Sequence, residues 1–355
     1  MKKQSKKILG YLLIGCLLTG LLSGCGFFED VTPKETSQDA MPDEEEDLIV
    51  VGFSQLGSES VWRTTNSESI QGELTKENGF FLEFHNARQR QENQIKAIRG
   101  FISQRVDYIL FSPVTEEGWD TVLQEAKDAG IPVILVDRKA SLTDDSLYTA
   151  WVGSDMRLEG EKAGLWLEEY LEESGRGEEE INIVVLRGTP GSSAQTGRTA
   201  GFNAVAGGHL KWHILAQESA DFTTAKGKEV MEQFLERYED IDVVVSQNDD
   251  MTFGALQAME EHGISTGENC DIIVISFDAV PEALELVAQG KINLDVECNP
   301  RQGSYIAEII KKLEAGESVE KETIVEEDIY TQDNVGEYLR IGVGENNVYS
   351  VTVTE

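Results

Sequence analysis

Basic residues are scarce in this sequence of 355 residues, where 30 lysines and arginines stand against 65 acidic residues, a formal net charge of -35. Nucleic-acid binding needs a positive field that displaces counterions from the phosphates, so this balance excludes nucleic acid as a partner. The excess of acidic residues otherwise indicates a well-solvated surface and points to no particular ligand.

Cysteine is scarce too, with four residues in the chain, so the sequence does not indicate a disulfide framework. Cys16 falls within an N-terminal apolar stretch and Cys25 directly follows it, which leaves Cys270 and Cys298. These two stand at the start of one predicted strand and at the end of the next. In parallel neighbouring strands such positions are on the order of 20 Å apart, so we expect two free thiols.

The chain also lacks the short motifs of common catalytic and metal sites. It has no Gly-x-Ser-x-Gly, Cys-x-x-Cys, His-Glu-x-x-His or EF-hand pattern. The turn at residues 188–193 lacks the Gly-Lys-Ser/Thr ending of a phosphate-binding loop. His209 and His213 are four residues apart on a predicted strand, about 13 Å, and are poor metal partners. We therefore expect no catalytic residue, no cofactor and no metal.

The N-terminus has the layout of a bacterial secretion signal. Residues 1–7 are basic and residues 8–22 are apolar, a stretch that is short for a membrane-spanning helix. Residues 22–25, Leu-Ser-Gly-Cys, resemble the lipobox of bacterial lipoproteins. We therefore predict a signal peptide over residues 1–24 and lipidation of Cys25, with a short transmembrane anchor as the alternative. The rest of the chain should be extracytoplasmic and anchored to the bacterial cell membrane.

Residues 25–47 have no apolar periodicity and end in the acidic run at 43–47. This composition predicts a disordered linker that its own charge repulsion extends away from the bilayer.

After this linker, short β-branched runs alternate with helical patterns, which is typical of parallel βαβ units. The predicted strands cover residues 48–54, 80–85, 107–111, 132–136, 149–153, 181–187, 210–217, 242–246, 271–277 and 292–297. Because these strands fall into two sets of five, the pattern favours an α/β protein with two doubly wound parallel-sheet lobes and a hinge. A closed (β/α)8 barrel also fits the alternation, but a helix and strand at 301–330 follow the second set as if crossing back. We predict one lobe from 48–152 plus 299–326 and the other from 153–298 plus 327–355.

Polar residues follow several apolar runs at the point where each predicted strand ends. Open α/β sheets bind ligands beyond the carboxyl ends of their strands, where such side chains converge. The candidates are Glu59, Trp62 and Arg63 after the first run, Asp137 and Arg138 after the fourth, and Asn248, Asp278 and Glu297 in the second set.

Carboxylates, amides and guanidinium groups pair with hydroxyls, and a tryptophan can stack on a sugar ring, so this set is typical of a sugar site. Taken one at a time, each of these residues would also be explained without a ligand, by core packing or by a surface salt bridge. Paired carboxylates would also fit a glycosidase, which needs two of them about 5 to 10 Å apart. The secretion signal and the repeated lobes favour capture of a sugar over its hydrolysis.

Several longer strings carry a family resemblance: Val51-Gly52-Phe53-Ser54-Gln55, Trp62-Arg63, Gln91-Glu92-Asn93-Gln94, Val136-Asp137-Arg138 and Asn248-Asp249-Asp250-Met251. Over most of residues 48–335 the chain resembles the periplasmic sugar-binding proteins of ABC transporters, in the ribose-binding branch and nearest its galactofuranose-binding members. It departs from them at Val61, where glycine is usual, and at residues 297–300.

The resemblance implies a type I periplasmic-binding-protein fold and a monosaccharide ligand, with galactofuranose the expected sugar. It implies an ABC permease as partner, a monomeric state, and ligand contacts from the residues above other than Glu297, with Arg198 added by the resemblance alone. A sensor that presents its bound state to a membrane histidine kinase is the alternative. The tail from Glu337 onward lies outside the resemblance.

Overall fold

The structure is a computed structural model that describes residues 48–341 except 268, 269 and 271. The predicted signal peptide, Cys25, the linker up to residue 47 and the tail from 342 lie outside the described residues. Among the helices of the described ranges, none has the length and apolar character needed to cross a bilayer.

Strands and helices alternate along the chain in two successive sets. The first set is β1 (Ile49–Gln55), α1 (Val61–Glu73), β2 (Phe80–Asn86), α2 (Gln91–Gln104), β3 (Tyr108–Phe111), α3 (Asp120–Asp128), β4 (Val133–Val136) and β5 (Ala150–Gly153). The second set is α4 (Met156–Glu173), β6 (Ile181–Arg187), α5 (Ser193–Ala206), β7 (Trp212–Ser219), α6 (Thr224–Arg237), β8 (Val243–Ser246), α7 (Asp249–Glu261), β9 (Ile273–Asp278), α8 (Pro281–Ala288) and β10 (Leu294–Glu297). They are followed by α9 (Gly303–Glu314), β11 (Glu322–Ile324), β12 (Ile329–Tyr330) and α10 (Val335–Ile341).

Within the described residues, the strands form two six-stranded sheets with the same strand order. The order is β11-β5-β4-β3-β1-β2 in the first sheet and β12-β10-β9-β8-β6-β7 in the second. Neighbouring strands are parallel except β10 and β12, which are antiparallel. Two open sheets rule out the barrel and confirm the predicted two-lobe α/β class, and each of the ten predicted strands ends within two residues of its expected position.

Each sheet is covered by helices on both faces, because the inner strands are apolar on both sides. Along β3, for example, Tyr108 and Leu110 pack into one buried cluster, whereas Ile109 and Phe111 pack into another. Continuous apolar strands of this kind are characteristic of parallel sheets with both faces buried. The core thereby fixes the strand ends, where the polar residues lie.

Between residues 48 and 341 the chain passes from one sheet to the other three times: after β5, after β10 and after β11. Helix α9 packs on α1 of the first lobe, and β11 then joins the edge of the first sheet. The chain returns to the second sheet with β12, which pairs with β10. These three connecting segments join the lobes, and domain closure in two-lobe proteins takes place at a few such residues.

Candidate functional site

The carboxyl ends of the two sheets face a shared cavity with ≈ 300 Å³ of space unfilled by atoms, part of which is open solvent. Ligands of open α/β sheets bind at this edge, beyond the carboxyl ends of the strands. The lining residues come from both lobes: Glu59, Ser60, Trp62, Arg63, Asp137, Arg138, Met156, Ala194, Arg198, Phe222, Asn248, Asp278 and Cys298.

In the first lobe, Arg63 of α1 is the centre of a buried ionic cluster. Its Nη2 lies 2.7 Å from Asp137 Oδ2, and its Nε lies 3.2 Å from Glu59 Oε1. Burial opposes the charge of Arg63, but the two carboxylates outweigh it and raise the pKa of this guanidinium. The Ser60 side chain caps α1 by accepting a hydrogen bond from the Arg63 backbone N–H. The start of the helix and the position of Arg63 are therefore fixed by the same contact.

Arg138 is the second cation of the first-lobe cluster. Its Nη2 lies 3.9 Å from Glu59 Oε1, and its Nη1 donates to the Val114 carbonyl at 3.1 Å. Burial, followed by repulsion from Arg63, lowers the pKa of Arg138 to about 10. Two guanidinium groups are thus balanced by two carboxylates in this lobe.

In the second lobe, Arg198 of α5 takes the equivalent position. Its Nε donates to Glu159 Oε2 at 2.6 Å, its Nη2 to Asp278 Oδ1 at 3.1 Å, and its Nη1 to the Gln247 carbonyl. Burial opposes the charge of Arg198, but Glu159 and Asp278 raise its pKa well above the ordinary value. Because Glu159 is itself buried, its pKa is raised despite this pairing.

The two strand-end aspartates share an unusual backbone conformation. Asp137 follows β4 with φ 59°, and Asp278 ends β9 with φ 112°. Residues with side chains rarely adopt positive φ, and such conformations cluster at ligand sites where the surrounding structure holds them. Since β4 and β9 occupy the same place in their sheets, the fold repeats one carboxylate-presenting turn in each lobe.

An aromatic ring from each lobe also lines the cavity. The Trp62 Nε1–H donates to the Cys298 carbonyl, and the Arg63 guanidinium lies 4.6 Å from the Trp62 ring. Phe222, in the loop after β7, lies 5.2 Å from the Arg138 guanidinium. Gly188 makes room for the second ring, because a Cβ there would come within 1.8 Å of Phe222.

Asn248 caps helix α7 at the edge of the cavity. Its Oδ1 accepts from the Met251 backbone N–H at 3.0 Å, which leaves the amide NH2 near the Phe222 carbonyl at 3.5 Å. The side chain therefore retains donor capacity toward a ligand.

Eight of the nine residues proposed from the sequence line this cavity, and Glu297 does not. Its Oε2 accepts from the Asp328 backbone N–H at 3.0 Å and from the Tyr330 hydroxyl at 3.2 Å, both on the β12 side. Successive strand residues point to opposite faces, so the next residue, Cys298, lines the cavity instead. The prediction for Glu297 as a ligand contact is therefore corrected.

The sequence also missed residues that shape the site. Phe222, Met156 and Cys298 line the cavity without having been selected, and Glu159 supports Arg198 from within helix α4. Phe222 falls shortly after the predicted strand at 210–217, and that position was the available signal for it. Cys270 and Cys298 are both free, as expected.

Hydrogen bonds also join the two lobes directly around the cavity. The Glu116 N–H donates to the Gly191 carbonyl at 2.8 Å, and the Val61 N–H donates to Asp250 Oδ2 at 3.2 Å. Inside, the buried atoms Glu59 Oε2, Arg63 Nη1 and Arg138 Nε have no hydrogen-bond partner among the described residues. Since buried polar groups are normally paired, these atoms supply binding capacity for a polar ligand.

Comparison with known proteins gives consistent matches along most of the chain. The family model described as a periplasmic binding protein domain matches residues 51–318. The chain is 39% identical to the galactofuranose-binding protein of Escherichia coli strain K12 over 295 residues, 82% of this chain and 90% of that protein.

Two solved structures are similar in both sequence and fold. One, from Mycobacterium smegmatis in complex with β-D-fucofuranose, is 41% identical with a TM-score of 0.78, covering 82% of this chain and 94% of its own. The other is the periplasmic binding component of the arabinose ABC transporter from Shewanella sp. ANA-3, bound to α- and β-L-arabinofuranose. It is 41% identical with a TM-score of 0.76, and the match covers 81% of this chain and 94% of that structure's chain.

Proposed function

This chain belongs to the periplasmic binding protein family, and we propose that it captures one monosaccharide between its two lobes and delivers it to an ABC permease. Membership of this family implies a location outside the cytoplasm. The family's members are binding proteins of transport systems, and we propose that this chain likewise has no catalytic activity.

The observation that carries this function is the balance of charge around the cavity. Three guanidinium groups, from Arg63, Arg138 and Arg198, are matched by three carboxylates, from Glu59, Asp137 and Asp278. A balanced set favours a ligand without net charge, and both kinds of group form strong, charge-assisted hydrogen bonds with hydroxyls. The rings of Trp62 and Phe222 add surfaces for the apolar C–H faces of a sugar.

We propose that the bound sugar is a furanose, with galactofuranose as the leading candidate. Two relatives that are 41% identical hold fucofuranose and arabinofuranose, and a third, 39% identical, is named for galactofuranose.

The remaining parts of the proposal concern anchoring and organisation. Residues 1–24 would be a signal peptide, Cys25 would carry lipid, and residues 25–47 would link the anchor to a monomeric binding domain. The lobes would be 48–152 plus 299–326 and 153–298 plus 327–355, which agrees with the way β11 joins the first sheet and β12 the second. The comparisons do not favour the alternative of a sensor for a histidine kinase.

A ligand screen tests the function directly. Thermal unfolding is measured with D-galactose, D-fucose, L-arabinose and D-ribose, all of which contain furanose forms in water. A ligand at 100 times its dissociation constant adds about 2.7 kcal/mol to the folded state, so the right sugar should raise the melting temperature clearly. If no monosaccharide does so, the proposal fails.

The ring form is read separately from the anomeric carbon resonance of the bound sugar, using D-galactose labelled with ¹³C at C1. A furanose resonance supports the proposed ring form, and a pyranose resonance contradicts that part alone. Chromatography of the released sugar tests for turnover, and incubation with a nitrophenyl galactofuranoside should yield no nitrophenol if the chain is not an enzyme.

A further inference from the structure

The three chain crossings between the lobes meet at one carboxyl group. Ser154 lies on the crossing after β5, Asn299 on the crossing after β10, and Glu327 on the crossing after β11. Glu327 Oε1 accepts from the Ser154 hydroxyl at 2.5 Å and from the Asn299 backbone N–H at 2.8 Å. A single side chain therefore ties all three segments that must twist when the lobes move.

A second carboxyl group and a thiol lie beside it. Side-chain atoms of Glu159, Cys298 and Glu327 all come within 4.8 Å of one another. Glu159 Oε2 is bound by Arg198, whereas its Oε1 is buried and has no hydrogen-bond partner within the described part of residues 48–341. A proton on Glu327 would supply a donor beside this unpartnered oxygen.

The charges that face Glu327 come from several packed elements. Glu159 of α4 repels a negative charge there, and Arg198 of α5 favours one but is already shared between Glu159 and Asp278. Lys162 of α4 donates to the Glu327 backbone carbonyl at 2.5 Å and not to its carboxyl group. Burial, followed by repulsion from Glu159, raises the pKa of Glu327 to about 9, although the Ser154 and Asn299 hydrogen bonds lower it.

The carboxyl group is connected both to the cavity and to solvent. On one side, Glu159 links it to Arg198, which lines the cavity. On the other, Glu327 and Glu159 line a groove at the hinge that encloses ≈ 1030 Å³ and is partly open to water. A proton can therefore reach this group as the lobes move.

We propose that Glu327 is a hinge latch that takes up a proton when the lobes close on the sugar and releases it when they open. The proposal rests on the proposed function, because closure is driven by the sugar. In the closed form the protonated carboxyl group joins the three crossings without leaving an uncompensated charge beside Glu159. In the open form the crossings twist apart, water reaches the group, and it returns toward its ordinary acidity.

The sign of the effect follows from linkage. The pKa of Glu327 in the closed form lies above that in the open form, so closure binds a proton and is favoured most strongly at low pH. The stabilisation of the closed form by the proton on Glu327 is complete below the open-form pKa. It is lost as pH rises through about 9. Sugar affinity should therefore fall with rising pH, at most about tenfold per pH unit.

The test is calorimetric titration at pH 7 with D-galactose and with L-arabinose, each in buffers of different ionisation enthalpy, which counts protons taken up per sugar bound. The wild-type protein should take up more protons than Glu327→Gln, with a difference that approaches one. The exposed neighbour provides the control, because Glu326→Gln should behave as wild type. Equal uptake by wild type and Glu327→Gln would overturn the latch while leaving the sugar function intact.

A second measurement compares melting temperatures with and without saturating D-galactose. With the sugar, the melting temperatures of Glu327→Gln and wild type should agree near pH 5, and the variant should melt increasingly above wild type toward pH 9, whereas without the sugar the difference should depend much less on pH. The same difference with and without sugar would refute proton uptake on closure, while stabilisation by the sugar would leave the binding function intact. If the variant does not fold, the carboxylic-acid band of sugar-bound wild type in infrared pH titration decides, because its loss well below pH 9 would also refute the proposal.

Discussion

The two lobes present the same ionic arrangement to the cavity but differ in its charge balance. In each lobe an arginine on the first helix after the first strand of its sheet binds a strand-end aspartate and a glutamate: Arg63 with Asp137 and Glu59, and Arg198 with Asp278 and Glu159. The first lobe adds a second cation, Arg138, whereas the second lobe adds further carboxylates behind the turn that presents Asp278.

Those additional carboxylates hold the Asp278 turn in place. Asp249 accepts from the Ser276 hydroxyl at 2.5 Å and from the Val280 N–H at 2.8 Å, and Asp295 Oδ1 accepts from the Ala279 N–H at 3.1 Å. Burial raises the pKa of Asp295 to about 7 and that of Asp249 well above its ordinary range. The same geometry is thus built from balanced ions in one lobe and from an acid-rich network in the other.

The largest expected effect tests this difference by removing the arginine of each lobe in turn. Arg198→Met should lower the free energy of unfolding by about 3 to 5 kcal/mol, because it leaves buried carboxylates unpaired. Arg63→Met should cost less, since Arg138 stays 3.9 Å from Glu59. Both variants should lose measurable sugar binding, as followed by calorimetry, with stability measured by urea denaturation.

The control for these variants is an exposed ion pair. Arg157 pairs with Glu161 on the surface of α4, so Arg157→Met should change the free energy of unfolding by no more than about 1 kcal/mol. A larger loss of stability for Arg63→Met than for Arg198→Met would contradict the difference in charge balance between the lobes.

A smaller effect is expected at the aromatic rings, one from each lobe. Trp62→Ala should weaken sugar binding by about 1 to 3 kcal/mol, a typical loss for a buried aromatic contact. Trp62→Phe keeps a ring but loses the donor to the Cys298 carbonyl, so it separates stacking from hinge-side hydrogen bonding. Phe222→Leu tests the opposite ring, and Trp166→Ala, on α4 outside the cavity, is the control. Unchanged affinity in Trp62→Ala would remove its proposed role in binding.

The sequence was sufficient for the residues whose position follows from strand ends alone. Parallel strands end at one edge of a sheet, so the sequence alone predicts Asp137, Asn248 and Asp278 at a common site. Glu159 could not be found in this way, because nothing in the helical pattern of α4 separates it from partly exposed glutamates such as Glu161. Phe222 reaches the cavity because the backbone is left-handed at residues 221 and 222. That turn has no glycine, so the sequence does not indicate this conformation.

The smallest expected effect is at the strand-end residue that was wrongly selected. By position in the sheets, β10 ends at Glu297 where β5 ends at Gly153, and a Cβ at Gly153 would lie 2.5 Å from the Asp137 carbonyl oxygen. The first lobe therefore builds its half of the site with no side chain at this position. Glu297→Gln keeps an acceptor for Asp328 and Tyr330, so sugar affinity should stay within about twofold and stability within about 1 kcal/mol. A tenfold loss of affinity in calorimetric titration would return Glu297 to the binding site and break the correspondence between the two lobes.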